Sequence, residues 1–133
     1  MSKVALDTNI LIYLYDFSDE KKRHISESLL AVRPAISAQV ISEYLNVTKR
    51  LQKLPKLEVL EKCVKLLAFC DIIPLNVKTM EKALLLLRKH DFQMFDSTII
   101  ASALEANCSI LYSEDLQHNQ LIENKLTIVN PFI

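Results

Sequence analysis

The clearest indication of the fold is the stretch Lys3-Val4-Ala5-Leu6-Asp7-Thr8-Asn9. Its first four residues form a short β-prone run, and Asp7 follows that run directly. Comparable apolar runs recur along the chain between helical segments. We predict five strands, at Lys3–Leu6, Ala35–Ser37, Ile72–Leu75, Ser109–Tyr112 and Leu126–Val129.

Helical apolar periodicity separates these strands. The predicted helices are Ile10–Tyr15, Asp19–Val32, Ala38–Leu54, Leu57–Cys70, Val77–Lys89 and Phe95–Ala106. Strands that alternate with helices favour a parallel sheet covered on both faces. The sequence therefore predicts an α/β fold, a three-layer α/β/α sandwich with a central, mainly parallel five-stranded sheet.

Length and composition narrow the functional classes. The 133 residues are half apolar, which suits one packed domain, so we expect residues 1–133 to form a single domain. Sixteen basic and sixteen acidic residues cancel, so no overall field attracts polyanions and any nucleic-acid contact must be local. The absence of glycine excludes glycine-rich phosphate-binding loops.

Compartment signals point to the cytoplasm. No apolar run approaches the roughly 18 residues that a membrane-spanning helix needs. Asp7 interrupts the first apolar stretch, which argues against a signal peptide. Three cysteines without disulfide or metal-binding spacing are typical of buried side chains in a reducing compartment. We expect a cytoplasmic protein without membrane contact.

Two acidic residues follow predicted strands. Asp7 comes directly after the first strand, and Asp115 lies three residues beyond Tyr112 at the end of the fourth. Ligands bind in the crevice beyond the carboxyl ends of strands in open parallel sheets. If these two strands are neighbours, both carboxylates lie at that edge.

Two further acids lie on predicted helices. Glu43 is three residues after Val40 and four before Val47, within an apolar stripe. Asp96 lies three residues before Ile99, on the apolar stripe of its own helix. This spacing turns both carboxylates towards the core side of their helices.

If these four acids lie close together, their negative charges must be compensated. Unpaired carboxylates at low solvent exposure repel one another or become protonated. A divalent cation removes that conflict, and hard oxygen ligands favour Mg²⁺ or Mn²⁺. Such ions activate water for in-line attack on a phosphodiester. We therefore predict Asp7, Glu43, Asp96 and Asp115 as the catalytic and metal-binding residues.

Each acid also has a structural interpretation. Asp7 and Asp96 are suitable helix N-caps, and Asp115 is suitable for an Asx-turn. Glu43 would need a buried lysine or arginine as partner. Asp71 precedes its strand and is expected at the opposite edge of the sheet.

Other charged groups are less informative. Asp91 and Glu114 stand near the expected site and are candidates for an outer, assisting role. Basic clusters occur at residues 21–24, 49–53 and 88–90. Such clusters usually form solvated helix faces. Any cluster that lies at the carboxyl edge of the sheet could instead bind phosphates.

Four short segments together resemble the motifs of PIN-domain nucleases, in particular VapC-type toxins. They are Leu6-Asp7-Thr8-Asn9, Ser42-Glu43, Phe95-Asp96-Ser97 and Ser113-Glu114-Asp115-Leu116, and the ending Asn130-Pro131-Phe132 also matches. The resemblance implies a metal-dependent endoribonuclease with RNA as substrate. It assigns the metal to the same four acids, with Thr8, Asn9 and Ser113 as supporting polar groups.

The resemblance also implies a homodimer and, for toxins, an antitoxin that inserts a segment into the active cleft. One departure is His118-Asn119, where a small residue is common in the loop after the last acidic motif. A second hypothesis is a PIN-type nucleic-acid-binding or RNA-processing module with little or no turnover. A third is a phosphotransfer domain, although Asp7-Thr8-Asn9 lacks the second aspartate of the haloacid-dehalogenase type.

Overall fold

A computed structural model describes residues 3–133. Met1 and Ser2, the first two residues of the predicted domain range, lie outside the described residues. Within this range the helices are Thr8–Tyr13 (α1), Glu20–Leu30 (α2), Ala38–Gln52 (α3), Lys56–Leu67 (α4), Val77–Lys89 (α5) and Met94–Glu105 (α6). The strands in the same range are Val4–Leu6 (β1), Ala35–Ser37 (β2), Asp71–Ile73 (β3), Ile110–Tyr112 (β4), Leu121–Ile122 (β5) and Leu126–Val129 (β6).

The strands form one sheet in the order β3-β2-β1-β4-β6-β5. Neighbouring strands are parallel except at the β6–β5 edge. From β1 the chain proceeds outwards through β2 and β3, whereas β4 pairs on the other side of β1. The order therefore reverses beside β1, which is the position where open α/β sheets form a ligand crevice. The predicted fold class, a mainly parallel sheet flanked by helices, is confirmed.

The prediction of five strands was wrong by one, because β5 was missed. This two-residue strand is too short to show an alternating pattern, and it pairs antiparallel with β6. Glu123 and Asn124 make the connecting turn with φ of 53° and 54°, and the Lys125 amide donates to the Ile122 carbonyl at 3.0 Å. Hairpin turns with positive φ at both central residues usually have the sequence Asn-Gly. Because this chain has no glycine, the sequence did not indicate a hairpin here.

Helix α6 is the most deeply buried helix segment, with Ser97 to Leu104 all buried. Its hydroxyl groups are satisfied locally, since Thr98 donates to the Phe95 carbonyl and Ser102 donates to the Thr98 carbonyl. Polar side chains can therefore line a helix that packs inside the molecule. The three cysteines are buried and free, as predicted. Among the described helices, none has the length and apolarity to cross a membrane.

Caps connect the carboxyl ends of β1 and β2 directly to helices. Asp7 caps α1 at the end of β1, and Ser37 caps α3 at the end of β2, where its hydroxyl accepts from the Val40 amide at 3.1 Å. Each cap satisfies an otherwise unpaired amide at the start of its helix. Both helices therefore start at the same edge of the sheet, which carries the candidate site.

Candidate active site

Asp7 is the most buried of the four predicted acids, with 5% of its surface exposed. Its amide continues the β1–β4 pairing by donating to the Tyr112 carbonyl at 2.9 Å. Its carboxylate accepts from the Thr8 amide and from the Ser113 hydroxyl, each at 2.7 Å. Burial raises the pKa of Asp7, the two hydrogen bonds oppose that rise, and the charge of Asp115 adds to it. The net direction is upwards.

Asp115 lies beyond the end of β4 and is solvent-exposed. The Asn9 side-chain amide donates to its carboxylate at 3.1 Å, and the Asn9 carbonyl oxygen accepts from the Glu114 amide at 3.2 Å. Ser113 is fully buried, and its hydroxyl accepts from the Leu116 amide at 3.3 Å. The start of α1 therefore holds the loop after β4, and the two carboxyl-edge acids lie close together as predicted.

Glu43 and Asp96 approach the same edge from helices, and both are half-buried. Burial raises the pKa of Glu43, the Gln39 amide at 3.3 Å opposes the rise, and the charges of Asp7 and Asp96 add to it. Burial also raises the pKa of Asp96, with further contributions from Asp7 and Asp115. Asp7, Glu43 and Asp96 therefore each lie close enough to another of the four acids for its charge to raise their pKa.

Within residues 3–133, no basic side chain forms an ion pair with any of these four acids. The ion pairs found within residues 3–133 all involve other acids. Asp7, Glu43 and Asp96, whose pKa values are raised, therefore have no ion-pair partner among the described residues. Such a site either binds protons more tightly than usual or binds an external cation.

The donor set suits a hard divalent cation in its chemistry. Every candidate ligand is an oxygen, and Mg²⁺ and Mn²⁺ prefer oxygen ligands. The hydroxyl oxygen of Thr8 is buried and has no partner among the described residues, so a polar atom in the site is still unsatisfied. In the same part of the chain, no three acidic, histidine or cysteine side chains are close enough to form a ready-made metal site. The assignment of the ligands therefore stays a prediction.

The structural interpretations of the acids have mixed outcomes. Asp7 is indeed the N-cap of α1, so its capping role coexists with its place in the site. Asp96 is not an N-cap, because Gln93 holds that position and Asp96 lies in the first turn of α6. Glu43 has no lysine or arginine partner among the ion pairs of residues 3–133. Asp71 begins β3 at the opposite edge and pairs with Arg33 at 2.8 Å.

A second polar group supports the loop after β4 and was missed from the sequence. The Tyr13 hydroxyl donates to the Glu114 carboxylate at 2.6 Å, and Lys22 forms a salt bridge to the same carboxylate. Lys22 also lies over the rings of Tyr13 and Phe132, at 4.7 and 5.3 Å from the centroids. Tyr13 and Glu114 are 101 positions apart, so no local pattern indicates the contact. Glu114 was named from the sequence as a candidate for an assisting role, but its partners Tyr13 and Lys22 were not, and the basic cluster at residues 21–24 was the only indication of Lys22.

Two cavities flank the acids. One of about 370 Å³ is lined by Asp96 and Asp115 together with residues 90–93, 116, 117 and 120. The other, of about 330 Å³, is lined by Asp115, Glu43 and residues of α1. Asp115 borders both cavities, whereas Asp96 lines only the first and Glu43 only the second.

Comparison with known proteins gives one family and several similar folds. The model of the PIN domain family matches residues 4–123. None of the curated proteins is significantly similar in sequence. Similar solved structures include a toxin-antitoxin complex from Klebsiella pneumoniae, 24% identical over 98% of each chain with a TM-score of 0.71.

Two further structures have the same fold. VapBC2 from Rickettsia felis, bound to a DNA fragment from their promoter, is 21% identical over 96% of this chain and 98% of that chain, with a TM-score of 0.71. VapC20 from Mycobacterium tuberculosis, a Sarcin-Ricin loop cleaving toxin, is 19% identical over 85% of this chain and 90% of that chain, with a TM-score of 0.67. At this level of identity the likeness shows the shared fold.

We expect Asp7→Asn to change the pH dependence of stability in chelator. The pKa of Asp7 is raised above its ordinary value of 3.8, so the folded state binds this proton more tightly than the unfolded state does. Wild type therefore loses stability as the pH rises from that value through the raised pKa, and the asparagine variant does not. The free energy of unfolding of Asp7→Asn minus that of wild type should increase between about pH 4 and pH 7, measured by urea unfolding.

Asp16→Asn is a control for which the stability relative to wild type should change with pH in the opposite direction. Hydrogen bonds from Ser18 lower the pKa of Asp16, so the aspartate stabilises the fold more as the pH rises. The stability of Asp16→Asn relative to wild type should fall as the pH rises through 3.8 and the values just below it, and should be nearly level from about pH 5 to pH 7. Equal slopes for the two variants would contradict the assignment of Asp7 to a desolvated cluster of negative charge.

Proposed function

The chain belongs to the PIN domain family, and on that premise we propose that it is a Mg²⁺- or Mn²⁺-dependent endoribonuclease, the toxin of a toxin-antitoxin pair. The proposed reaction is hydrolysis of RNA phosphodiester bonds. The observation that carries it is the buried carboxylate of Asp7 among Glu43, Asp96 and Asp115, without a protein cation in residues 3–133.

The protein's own residues would act chiefly by positioning. Ser113 and Thr8 hold the two oxygens of Asp7, and Asn9 orients Asp115. Glu43 and Asp96 complete the proposed ligand set from two helices. A bound Mg²⁺ or Mn²⁺ supplies a Lewis acid and lowers the pKa of a coordinated water at the phosphodiester.

The proposed toxin role draws its support from the similar structures. The Klebsiella pneumoniae protein is described as part of a toxin-antitoxin complex, and VapBC2 is described bound to promoter DNA. An antitoxin could dock on α4, where Leu57, Leu60 and Val64 are more than half exposed and share one face. The groove between α3 and α4 is flanked by Lys49 and Lys56, which favours an acidic, amphipathic segment.

A second apolar face supports a homodimer. Val77, Met80, Leu84 and Leu87 follow the spacing of one helix face on α5, and they are 74%, 48%, 50% and 37% exposed. A continuous apolar stripe of this kind marks an interaction surface. We assign it to a second copy of this chain.

The activity is tested with purified protein and labelled single-stranded RNA in Mg²⁺, Mn²⁺ or chelator. Wild type should cleave internally with either ion and lose activity in chelator, because the attacking water depends on the ion. Asp7→Asn and Asp96→Asn should reduce cleavage to background, and Ser113→Ala should reduce it by about 10–100-fold through misplacement of Asp7. Asp71→Asn, at the opposite edge, is the matched control and should cleave like wild type.

The outcomes separate the competing hypotheses. Cleavage that survives exhaustive chelation would overturn the metal-dependent mechanism. RNA binding without cleavage, in wild type and variants alike, would favour a binding module without turnover. DNA of the same sequence serves as the substrate control.

The substitution Glu43→Gln tests whether Glu43 is a metal ligand or a structural carboxylate. Because burial and the neighbouring negative charges raise the pKa of Glu43, its removal should leave stability in chelator unchanged or higher. The variant should gain less stability than wild type from excess Mn²⁺, measured by urea unfolding, since fewer ligands remain. A loss of about 3–5 kcal/mol in chelator with an undiminished Mn²⁺ effect would instead indicate a buried ion pair.

Leu84→Arg tests the dimer face. The charge should prevent burial of the α5 stripe and convert the dimer to a monomer, measured by sedimentation. Leu60→Arg on α4 is a matched control, because Leu60 is 51% exposed and Leu84 is 50% exposed. A dimer that survives Leu84→Arg but dissociates with Leu60→Arg would place the interface on α4.

A further inference from the structure

A cavity beside the acids has a lining that suits a neutral, planar ligand. Its volume is about 370 Å³, within the range of small-ligand sites. The segment between α5 and α6 contributes His90, Phe92 and Gln93, and the loop after β4 contributes Gln117 and Gln120. Three amides and an aromatic pair therefore surround the space next to Asp96 and Asp115.

The three amides are available for a ligand. The side-chain amide of Gln39 donates a hydrogen bond to Glu43. Among the described residues, the side chains of Gln93, Gln117 and Gln120 form no such hydrogen bond. An amide carries a donor and an acceptor side by side, which matches the hydrogen-bonding edge of a nucleobase. His90 and Phe92 stack with ring centroids 4.9 Å apart at 25°, so planar groups already pack in parallel at this wall.

The charges at the cavity argue against a phosphate as its occupant. Asp91 lines it in addition to Asp96 and Asp115, and a carboxylate outside the proposed metal ligands would repel a second phosphate. Positive charge instead lies just before the cavity, where Arg88 and Lys89 occupy the last turn of α5. A strand of nucleic acid can therefore place its backbone near the end of α5 while a base enters the cavity.

The position of the acids fixes where such a base would lie. Asp115 borders this cavity and also the second one, of about 330 Å³, which includes Tyr13, Ile12 and Val47. A phosphodiester held at the acids would have one flanking nucleotide on each side. The two cavities are therefore candidate positions for the two nucleotides that flank the bond.

We propose that the cavity lined by His90, Phe92, Gln93, Gln117 and Gln120 is a nucleobase subsite that selects the base next to the cleaved phosphodiester. The proposal rests on the proposed function and adds its specificity determinant. The base must be unpaired, because only a splayed-out base presents both a stacking face and a hydrogen-bonding edge. Single-stranded or loop RNA is thus the substrate class.

The first experiment maps cleavage in a set of single-stranded oligonucleotides that differ only at the bases flanking one bond. Wild type should prefer one base at one flanking position. Gln93→Leu and Gln117→Leu should each reduce that preference by about tenfold through KM, because an amide that reads the base edge is lost. Both side chains are exposed, so folding should be unaffected.

Gln52→Leu is the matched control, because it makes the same change at the last residue of α3, about 13 Å along the helix from Glu43. Its base preference should equal that of wild type. Efficient cleavage by all variants with an unchanged base preference would overturn the subsite while leaving the proposed nuclease intact.

The second experiment does not depend on turnover. Oligonucleotides that carry 4-thiouridine or 6-thioguanosine are photocrosslinked to wild type in chelator, and the modified peptides are identified by mass spectrometry. Crosslinks should map to residues 90–93 or 117–120. Crosslinks confined to other surfaces, or none at all, would overturn the subsite.

The two readouts distinguish the two failures. Crosslinks at the cavity without cleavage in any divalent ion would reject the nuclease and retain the base-binding site. Cleavage with crosslinks elsewhere would reject the subsite alone. Neither cleavage nor crosslinking would reject both.

Discussion

The carboxylate of Asp7 is buried at the end of the central strand, where removal from water destabilises its charged form. The other groups of the site either offset this desolvation or add to it. Two hydrogen bonds, from the Thr8 amide and the Ser113 hydroxyl, offset part of the cost. They do not remove it, because burial and the nearby charge of Asp115 still raise the pKa of Asp7. A protein retains such a group where the negative charge has a use, and a divalent cation is the partner that the surrounding oxygen atoms favour.

The same edge of the sheet is reinforced from outside. Asn9 connects the start of α1 to Asp115 and to the Glu114 amide. Tyr13 and Lys22 then hold the Glu114 side chain, and Phe132 packs against Tyr13 at 5.1 Å between ring centroids. The loop after β4 is thereby fixed from two helices and from the end of the chain. This support lets exposed Asp115 face two cavities without depending on its own burial for its position.

Much of the architecture was accessible from local sequence. The bounds of β2, β6 and α5 were predicted to the residue, because a short β-prone run, or an amphipathic stripe with a cap, is a local property. β5 was missed because its signal is two residues and a turn without glycine. The structural interpretation of Asp96 as an N-cap was wrong, because a cap at Asp96 requires the helix to begin at Ser97, whereas α6 begins three residues earlier, at Met94.

The sequence alone determined the fold class and the candidate acids, because an acid directly after a strand or within an apolar helical stripe is visible in the spacing of a few residues. The tertiary structure alone decided that β1 and β4 are neighbours, which brings Ser113 within hydrogen-bond distance of Asp7 across 106 positions. It also decided that Lys22 pairs with Glu114, while the acids of the site have no basic partner in residues 3–133. Such contacts arise when distant segments are packed together, and local periodicity carries no information about which distant side chains will meet.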